Sequence, residues 1–260
     1  MDAITVKDIM ECIERIAPQD LAQDYDNVGL LIGDSKRRIN KIIVGLEVTN
    51  SLIDEAINKA CDMIVVHHPL IFSPLNRIVE QDPIAHKVIR LIKADINVYV
   101  AHTNLDMAQH GLNDYLCEVL DIKPNIEIGF EQNRLLRICD VKQQAFKQLV
   151  WHVKERLNLD TIRYAGHLDK QIKRIGLCSG SGMSFFDMAI EQGVDAYITG
   201  DLKYHDAVKA MELEVPVIDA GHYGTEIICR QLFENILKEN FQEDIQILQH
   251  NEFLDPICTL

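Results

Sequence analysis

Three times along this chain a short apolar run stops and imidazole and carboxylate side chains begin. His67-His68-Pro69 follows Val66, His102-Thr-Asn-Leu-Asp106 follows Ala101, and His222-Tyr-Gly-Thr-Glu226 comes just after Ala220. The runs are rich in β-branched residues and too short for buried helices, so they read as strands. In the first half they are Lys41-Ile-Ile-Val-Gly-Leu-Glu47, Asp62-Met-Ile-Val-Val66 and Ile96-Asn-Val-Tyr-Val-Ala101. Amphipathic stretches alternate with them. The first is a helix with Val6, Ile9, Met10, Ile13 and Ile16 at the 3.6 period, capped by Thr5-x-x-Asp8 and ended by Pro18. Two more run from Asn50 to Ala60 and from Pro83, a favoured first helical residue, to Ala94. Strands alternating with helices define an α/β chain.

The second half repeats the plan. Ile172–Cys178, Asp195–Thr199 and Pro216–Asp219 read as strands, Ser184–Gln192 and about Thr225–Lys238 as helices. Asn58-Lys-Ala-Cys-Asp62-Met-Ile-Val-Val is echoed by Glu191-Gln-Gly-Val-Asp195-Ala-Tyr-Ile-Thr. We therefore expect two similar, interlocked α/β lobes around mixed sheets. The first spans residues 1–120 and the second 172–260, with 121–171, which carries a long helix from Gln143 to Leu157, as the bridge. No Pro/Gly/Ser linker divides the chain.

Composition narrows the partners. Acidic residues outnumber basic ones 40 to 26, giving a net charge of -14. Such a surface repels nucleic acid backbones and anionic lipid, and Lys36-Arg37-Arg38 is too short a run to reverse that. The seven cysteines are scattered singly, several in apolar runs, which points to a reducing compartment and small core side chains. The N-terminus lacks a signal-peptide profile, and no apolar run approaches the roughly 20 residues of a membrane span. A cytoplasmic protein is expected.

Ligands of open α/β sheets gather at the carboxyl ends of the strands, so the three polar clusters can meet. Neighbouring residues of an extended segment point opposite ways, so His67 and His68 suit two ions unless the chain turns sharply there. His222 and Glu226 share one face if a helix begins by His222. With Asp106 and Glu226 as bridging carboxylates, the five residues His67, His68, Asp106, His222 and Glu226 form a dinuclear site between the lobes. Two ions held there about 3.5–4 Å apart would be expected to activate water and stabilise an oxyanion. A lone histidine after a strand is ordinarily a hydrogen-bonded core residue; three such clusters together make the metal reading. The donor set suits Zn, Mn, Fe, Co or Ni.

Other groups are open to two readings. His102 either orients a ligand or acts as acid/base. Asp201, with His205 nearby, is a ligand-orienting or substrate group, or simply a helix N-cap. Ser179-Gly180-Ser181-Gly182 is better read as a tight turn than as an anion nest. His86, His110, His152, His167 and His250 are expected at the surface.

With these residues in hand, the sequence resembles the Nif-three-like family, often labelled GTP cyclohydrolase I type 2 homologues. The matching stretches are Ala17-Pro18 through Asp26-Asn27-Val28-Gly29-Leu30, Val65–Phe72, Ala101–Asp106, Ile198–Asp201 and Asp219–Glu226. The resemblance implies a dinuclear metal centre on His67, His68, Asp106, His222 and Glu226. It also implies two similar lobes, a toroidal homohexamer, and a compact member without the extra inserted domain. One position departs: Leu46-Glu47-Val48-Thr49 carries Glu where the family commonly has Asp, which bears on a substrate or ligand-orienting role of Glu47. The implied activity is a metal-dependent hydrolase on a nucleotide-like small molecule, with His102 or Asp201 moving protons. The alternative is a metal-handling or regulatory protein without turnover.

Overall fold

The computed structural model describes residues 3–125, 135–242, 244–252 and 255–258. In chain order its first elements are α1 (Val6–Glu14), β1 (Gly29–Ile32), β2 (Lys41–Gly45), α2 (Asn50–Asn58), β3 (Met63–Val66), α3 (Pro83–Lys93), β4 (Asn97–Val100), α4 (Thr103–Met107) and α5 (Leu112–Val119). They continue with β5 (Arg137–Ala145), α6 (Phe146–Arg156), β6 (Arg163–Ala165), β7 (Gln171–Leu177), α7 (Phe186–Glu191) and β8 (Ala196–Thr199). The last are α8 (Tyr204–Glu212), β9 (Val217–Asp219), α9 (His222–Glu226), α10 (Cys229–Phe241) and β10 (Gln246–Gln249). No helix among the described residues is long and apolar enough to cross a membrane.

The chain divides into two compact units. The first comprises Met1–Gly111 and Cys229–Leu254, the second Leu112–Ile228 and Asp255–Leu260. In the first, the sheet order is β1-β4-β3-β2-β10, parallel except for β1. Strands β3 and β4 are buried at every residue, as a parallel sheet covered on both faces requires. On one face Ile43, Ile64, Val66, Val98 and Val100 pack with Leu52, Ile53 and Ala56 of α2 and Val88 and Leu91 of α3. Alternate residues point the other way: the Tyr99 hydroxyl reaches Glu14 Oε1 of α1 at 3.1 Å.

In the second unit the order is β5-β7-β8-β9-β6, with β7, β8 and β9 parallel and both edge strands antiparallel. The arrangement β6-β9-β8-β7 reproduces β1-β4-β3-β2, element for element. The repeat extends to one side chain: Asp62 Oδ2 accepts the amides of Asn40 (2.7 Å) and Lys41 (3.0 Å), and Asp195 Oδ2 accepts those of Lys173 (2.8 Å) and Arg174 (2.9 Å). In each unit this carboxylate, on the residue just before a central strand, holds the start of the neighbouring strand. The letter-level echo of the two halves thus has a structural basis.

Several expected boundaries fall elsewhere. Residues 137–156 do not bridge: β5 pairs with β7, and α6 packs Phe146, Leu149, Val150 and Val153 into the second unit's core. The helix expected from Gln143 starts at Phe146, because Gln144 and Ala145 pair with Ile172 and Gln171, and the Gln148 side chain caps the Ala145 amide at 3.0 Å. At the other end, α10 and β10 belong to the first unit, where β10 completes the sheet beside β2. The Thr225–Lys238 helix is two helices, α9 and α10, with a break at Ile227-Ile228. All seven cysteines are free and all but Cys258 are buried.

Candidate metal centre

In the first unit the ends of β2, β3 and β4 each present a polar group. The ladder carries on past the strands, His68 N bonding Leu46 O at 2.9 Å and Ala101 N bonding Val66 O at 3.1 Å, which fixes where these side chains start. His67 is fully buried, and its Nδ1 donates to Ala101 O at 2.8 Å. His68 Nδ1 donates to Glu47 Oε1 at 2.6 Å. His102 Nδ1 lies 2.9 Å from both Asp26 carboxylate oxygens. Asp26 also takes the Thr103 amide (3.0 Å) and hydroxyl (2.5 Å). Burial pushes the Asp26 carboxyl up, but these hydrogen bonds outweigh it and hold it well below the ordinary carboxylate value. Asp106, buried at the end of α4, places Oδ1 3.5 Å from His67 Nε2.

Carbonyl and carboxylate oxygens only accept, so each of these Nδ1 atoms carries the hydrogen. In a neutral imidazole that leaves the lone pair on Nε2. Orientation of a ring by an oxygen acceptor behind it is the usual arrangement of metal-binding histidines. The three rings converge: centroids lie 5.0 Å (His67–His68), 5.1 Å (His67–His102) and 5.4 Å (His68–His102) apart. One ligand nitrogen from each falls within 4.8 Å of the others. The expected divergence of His67 and His68 is absent. The chain bends at both residues, beyond the last residue of β3, so strand alternation no longer applies and their adjacency says nothing about the number of ions.

The second unit carries a smaller cluster. His222 and Glu226 open and close α9, one turn apart, with His222 Nε2 2.9 Å from Glu226 Oε2. His222 Nδ1 is held by Asp201 Oδ2 at 2.8 Å. Asp201 is no N-cap: it sits at φ +54, and α8 begins three residues later with Lys203 as its cap. His205 is exposed on α8, its ring against Tyr204 at 5.3 Å, and it does not join the cluster. The Ser179–Gly182 segment is a turn whose amides serve the fold. Those of Ser179, Gly180 and Gly182 donate to Asn113 Oδ1 (2.8 Å), Thr225 Oγ1 (2.9 Å) and Thr199 Oγ1 (3.0 Å). Gly180, at φ +57, is pressed against the cluster, and a Cβ there would meet Glu226 Oε1 at 2.1 Å and His222 Nε2 at 3.3 Å.

These donor sets fit divalent ions. With metal–ligand distances of about 2.1 Å, two ligands of one ion are about 3.4 Å apart in a tetrahedron and about 3.0 Å in an octahedron. The separations of 3.5 Å (His67 Nε2 to Asp106 Oδ1) and 2.9 Å (His222 Nε2 to Glu226 Oε2) match that spacing. A Cβ at Gly180 would fill the space beside the second pair. Sequence reasoning singled out the residues that cluster at the strand ends but not the part played by Asp26. Its only signal was its place in the Asp26-Asn27-Val28-Gly29-Leu30 stretch. Of the histidines expected at the surface, His250 is buried to 1% exposure.

A profile of the Duf34/NIF3 (NGG1p interacting factor 3) family matches residues 4–255. A protein of Clostridium acetobutylicum named GTP cyclohydrolase 1 type 2 homolog is 36% identical over 273 residues, covering 98% of each chain. The NIF3 homolog of Schizosaccharomyces pombe is 30% identical, covering 97% of each chain. Among solved structures, a Staphylococcus aureus protein superposes with a TM-score of 0.88 at 26% identity over the whole of both chains.

Proposed function

The chain belongs to the Duf34/NIF3 family, and from that premise we propose that it binds two divalent metal ions and acts as a metal-dependent hydrolase on a nucleotide-like small molecule. His67, His68 and Asp106 of the first unit and His222 and Glu226 of the second are the proposed ligands. The observation that carries the reading is the shared setting of the histidines: His67, His68 and His222 each have Nδ1 committed to an oxygen acceptor, the ring orientation in which metal-binding histidines present Nε2 as the ligand atom. Two divalent ions, when bound, supply Lewis acidity that makes water a better nucleophile and stabilises negative charge on the substrate. They also give an acidic protein a place for an anionic ligand.

His102 is the group proposed to move a proton. Asp26 fixes its Nδ1 hydrogen and stabilises the imidazolium that forms when Nε2 accepts another. Glu47 and Asp201 orient His68 and His222 rather than touching substrate. The relatives' name suggests GTP as one substrate, with water adding at the purine C8 carbon. The engagement of Asp201 with His222 favours, to that extent, the second reading of metal handling without turnover, since it removes one proton-moving group. Family membership also supports a homo-oligomer, a toroidal hexamer; light scattering would give about six chain masses.

Elemental analysis of the purified protein beside His68→Ala and Glu226→Ala, followed by a nucleotide hydrolysis screen, tests the proposal. About two ions per parent chain, clear loss in both variants, and turnover that follows metal content support it. Full metal content without turnover on any nucleotide moves the reading to metal handling. No metal in the parent after loading with Mn, Fe or Zn refutes both.

A further inference from the structure

Away from the strand-end cluster, the first unit contains a second relay of polar groups. His250, just past β10, is almost wholly buried. Its Nδ1 donates to Glu55 Oε2 on α2, and its Nε2 lies 3.2 Å from Ser51 Oγ on the same helix. Ser51 Oγ is in turn 2.8 Å from Thr49 Oγ1, the N-cap residue of α2. A carboxylate only accepts, so the ring hydrogen is on Nδ1 and Nε2 is the acceptor. The Ser51 hydroxyl therefore donates to His250. Thr49, whose oxygen takes the Leu52 amide at 3.1 Å, donates its own hydrogen to Ser51.

The far end of the relay is fixed as firmly. Lys59 Nζ holds Glu55 Oε1 at 2.5 Å, and the His250 backbone is tied by its amide to Val44 O at 2.9 Å and by its carbonyl to the Arg230 guanidinium. Both nitrogens of so buried a ring need partners, and Glu55 takes the Nδ1 hydrogen. Here the second nitrogen is aimed at a partly exposed hydroxyl in the first turn of a helix. Amide hydrogens of that turn have no intrahelical carbonyl to bond, and the helix dipole favours negative charge beside them.

We propose that Ser51, His250 and Glu55 form an acyl-transfer site for small esters, with Ser51 as nucleophile, His250 as general base and Glu55 as the group that orients it. Ser51 Oγ attacks the ester carbonyl carbon, and its proton passes to His250 Nε2 as the new C–O bond forms. Charge on the carbonyl oxygen develops beside the first turn of α2, whose Leu52 amide is already taken by Thr49 Oγ1, so the positive end of the helix dipole is what stabilises it. The imidazolium, stabilised by Glu55, returns the proton to the departing alkoxide as the ester bond breaks. Water, deprotonated by the same nitrogen, then releases the carboxylic acid and restores the Ser51 hydroxyl. This chemistry uses none of the proposed metal ligands, so it stands or falls apart from the reading of that site.

The test is to treat the full-length protein with a fluorescent fluorophosphonate and locate the adduct by peptide mass spectrometry. One adduct is expected, on Ser51, formed by the native protein and not by the urea-unfolded chain. Ser51→Ala abolishes it, and His250→Gln slows labelling roughly a hundredfold. The parent protein alone decides the matter, however the His250 variant folds. Native parent left unlabelled at Ser51 under conditions that fully label an ordinary serine esterase, or labelled there no faster than when unfolded, overturns the assignment.

Discussion

Replacing Gly180 with Ala should empty the second unit's ligand pair while leaving the fold standing. Two effects act at this position and can be separated. The backbone sits at φ +57, where an L-residue costs about 1–2 kcal/mol. The added Cβ would also lie 2.1 Å from Glu226 Oε1. The carboxylate must therefore retreat by about 1 Å to restore van der Waals contact. A displacement of that size in a positioned ligand is worth roughly a hundredfold in affinity. Gly193 supplies the control: its φ is +73, and a Cβ there meets nothing within 4 Å. Gly193→Ala should lower Tm by about 2–8 °C, from the backbone cost alone, and keep its metal. Gly180→Ala should show a similar loss of Tm and, in addition, the hundredfold weaker binding by titration with Zn or Mn. If Gly180→Ala binds metal as tightly as Gly193→Ala, the intrusion argument is refuted, and with it the placement of a cation beside Glu226.

Three further outcomes are expected. Glu47→Ala should weaken metal binding about 10–100-fold by releasing His68, whereas Glu47→Gln, whose amide oxygen still accepts from Nδ1, should lose far less; equal losses in the two would show that Glu47 does not act through His68. Asp26 is held below its unfolded value of 3.8, so it contributes stability above that pH and the contribution disappears as pH falls through the lower folded value. Asp26→Asn should therefore lower Tm near neutrality while the two proteins converge as the solution becomes strongly acid, and a gap that widens in acid would contradict this. Asp62→Ala and Asp195→Ala, each of which strands two strand-start amides, should cost about 1–3 kcal/mol apiece in urea unfolding; a silent variant would show that the repeat is geometric without being energetic.

The central strands and the clustering of histidines and carboxylates at their ends were readable because the physics marks both. A strand covered on two faces is written in a nearly unbroken apolar run, and imidazole and carboxylate groups that follow it while still buried, as His67 and Asp106 are, stand out against it. Edge strands carry no such mark. In β10, Gln246-Ile-Leu-Gln249 is nowhere fully buried, and β5 runs into residues such as Lys142, Gln143 and Gln144 that favour helix as readily as strand. Their places were decided by pairing with β2 and β7, which is tertiary information. The same holds for the groups behind the ligands. Asp26 reaches His102 across 76 positions of sequence and Glu47 reaches His68 across 21, and no local spacing announces either. His250 looked like a surface residue because its neighbours are polar, and only the fold places it over α2. Conversely, strand alternation predicted too much at His67-His68, because it was carried past the end of the strand.

The route of the chain also sets a timetable for synthesis. The second unit is nearly all one continuous stretch, Leu112–Ile228, so it can fold as it leaves the ribosome. The first cannot close, because the open edge of β2 at Lys41–Gly45 waits for Gln246–Gln249. About 200 residues separate these partners, which at 5–20 residues per second leaves that edge uncovered for on the order of 10–40 s. During that interval a nascent chain offers an apolar strand edge to other nascent chains and to chaperones. A message truncated shortly before codon 229 would yield a competent second unit joined to a permanently unfinished first one.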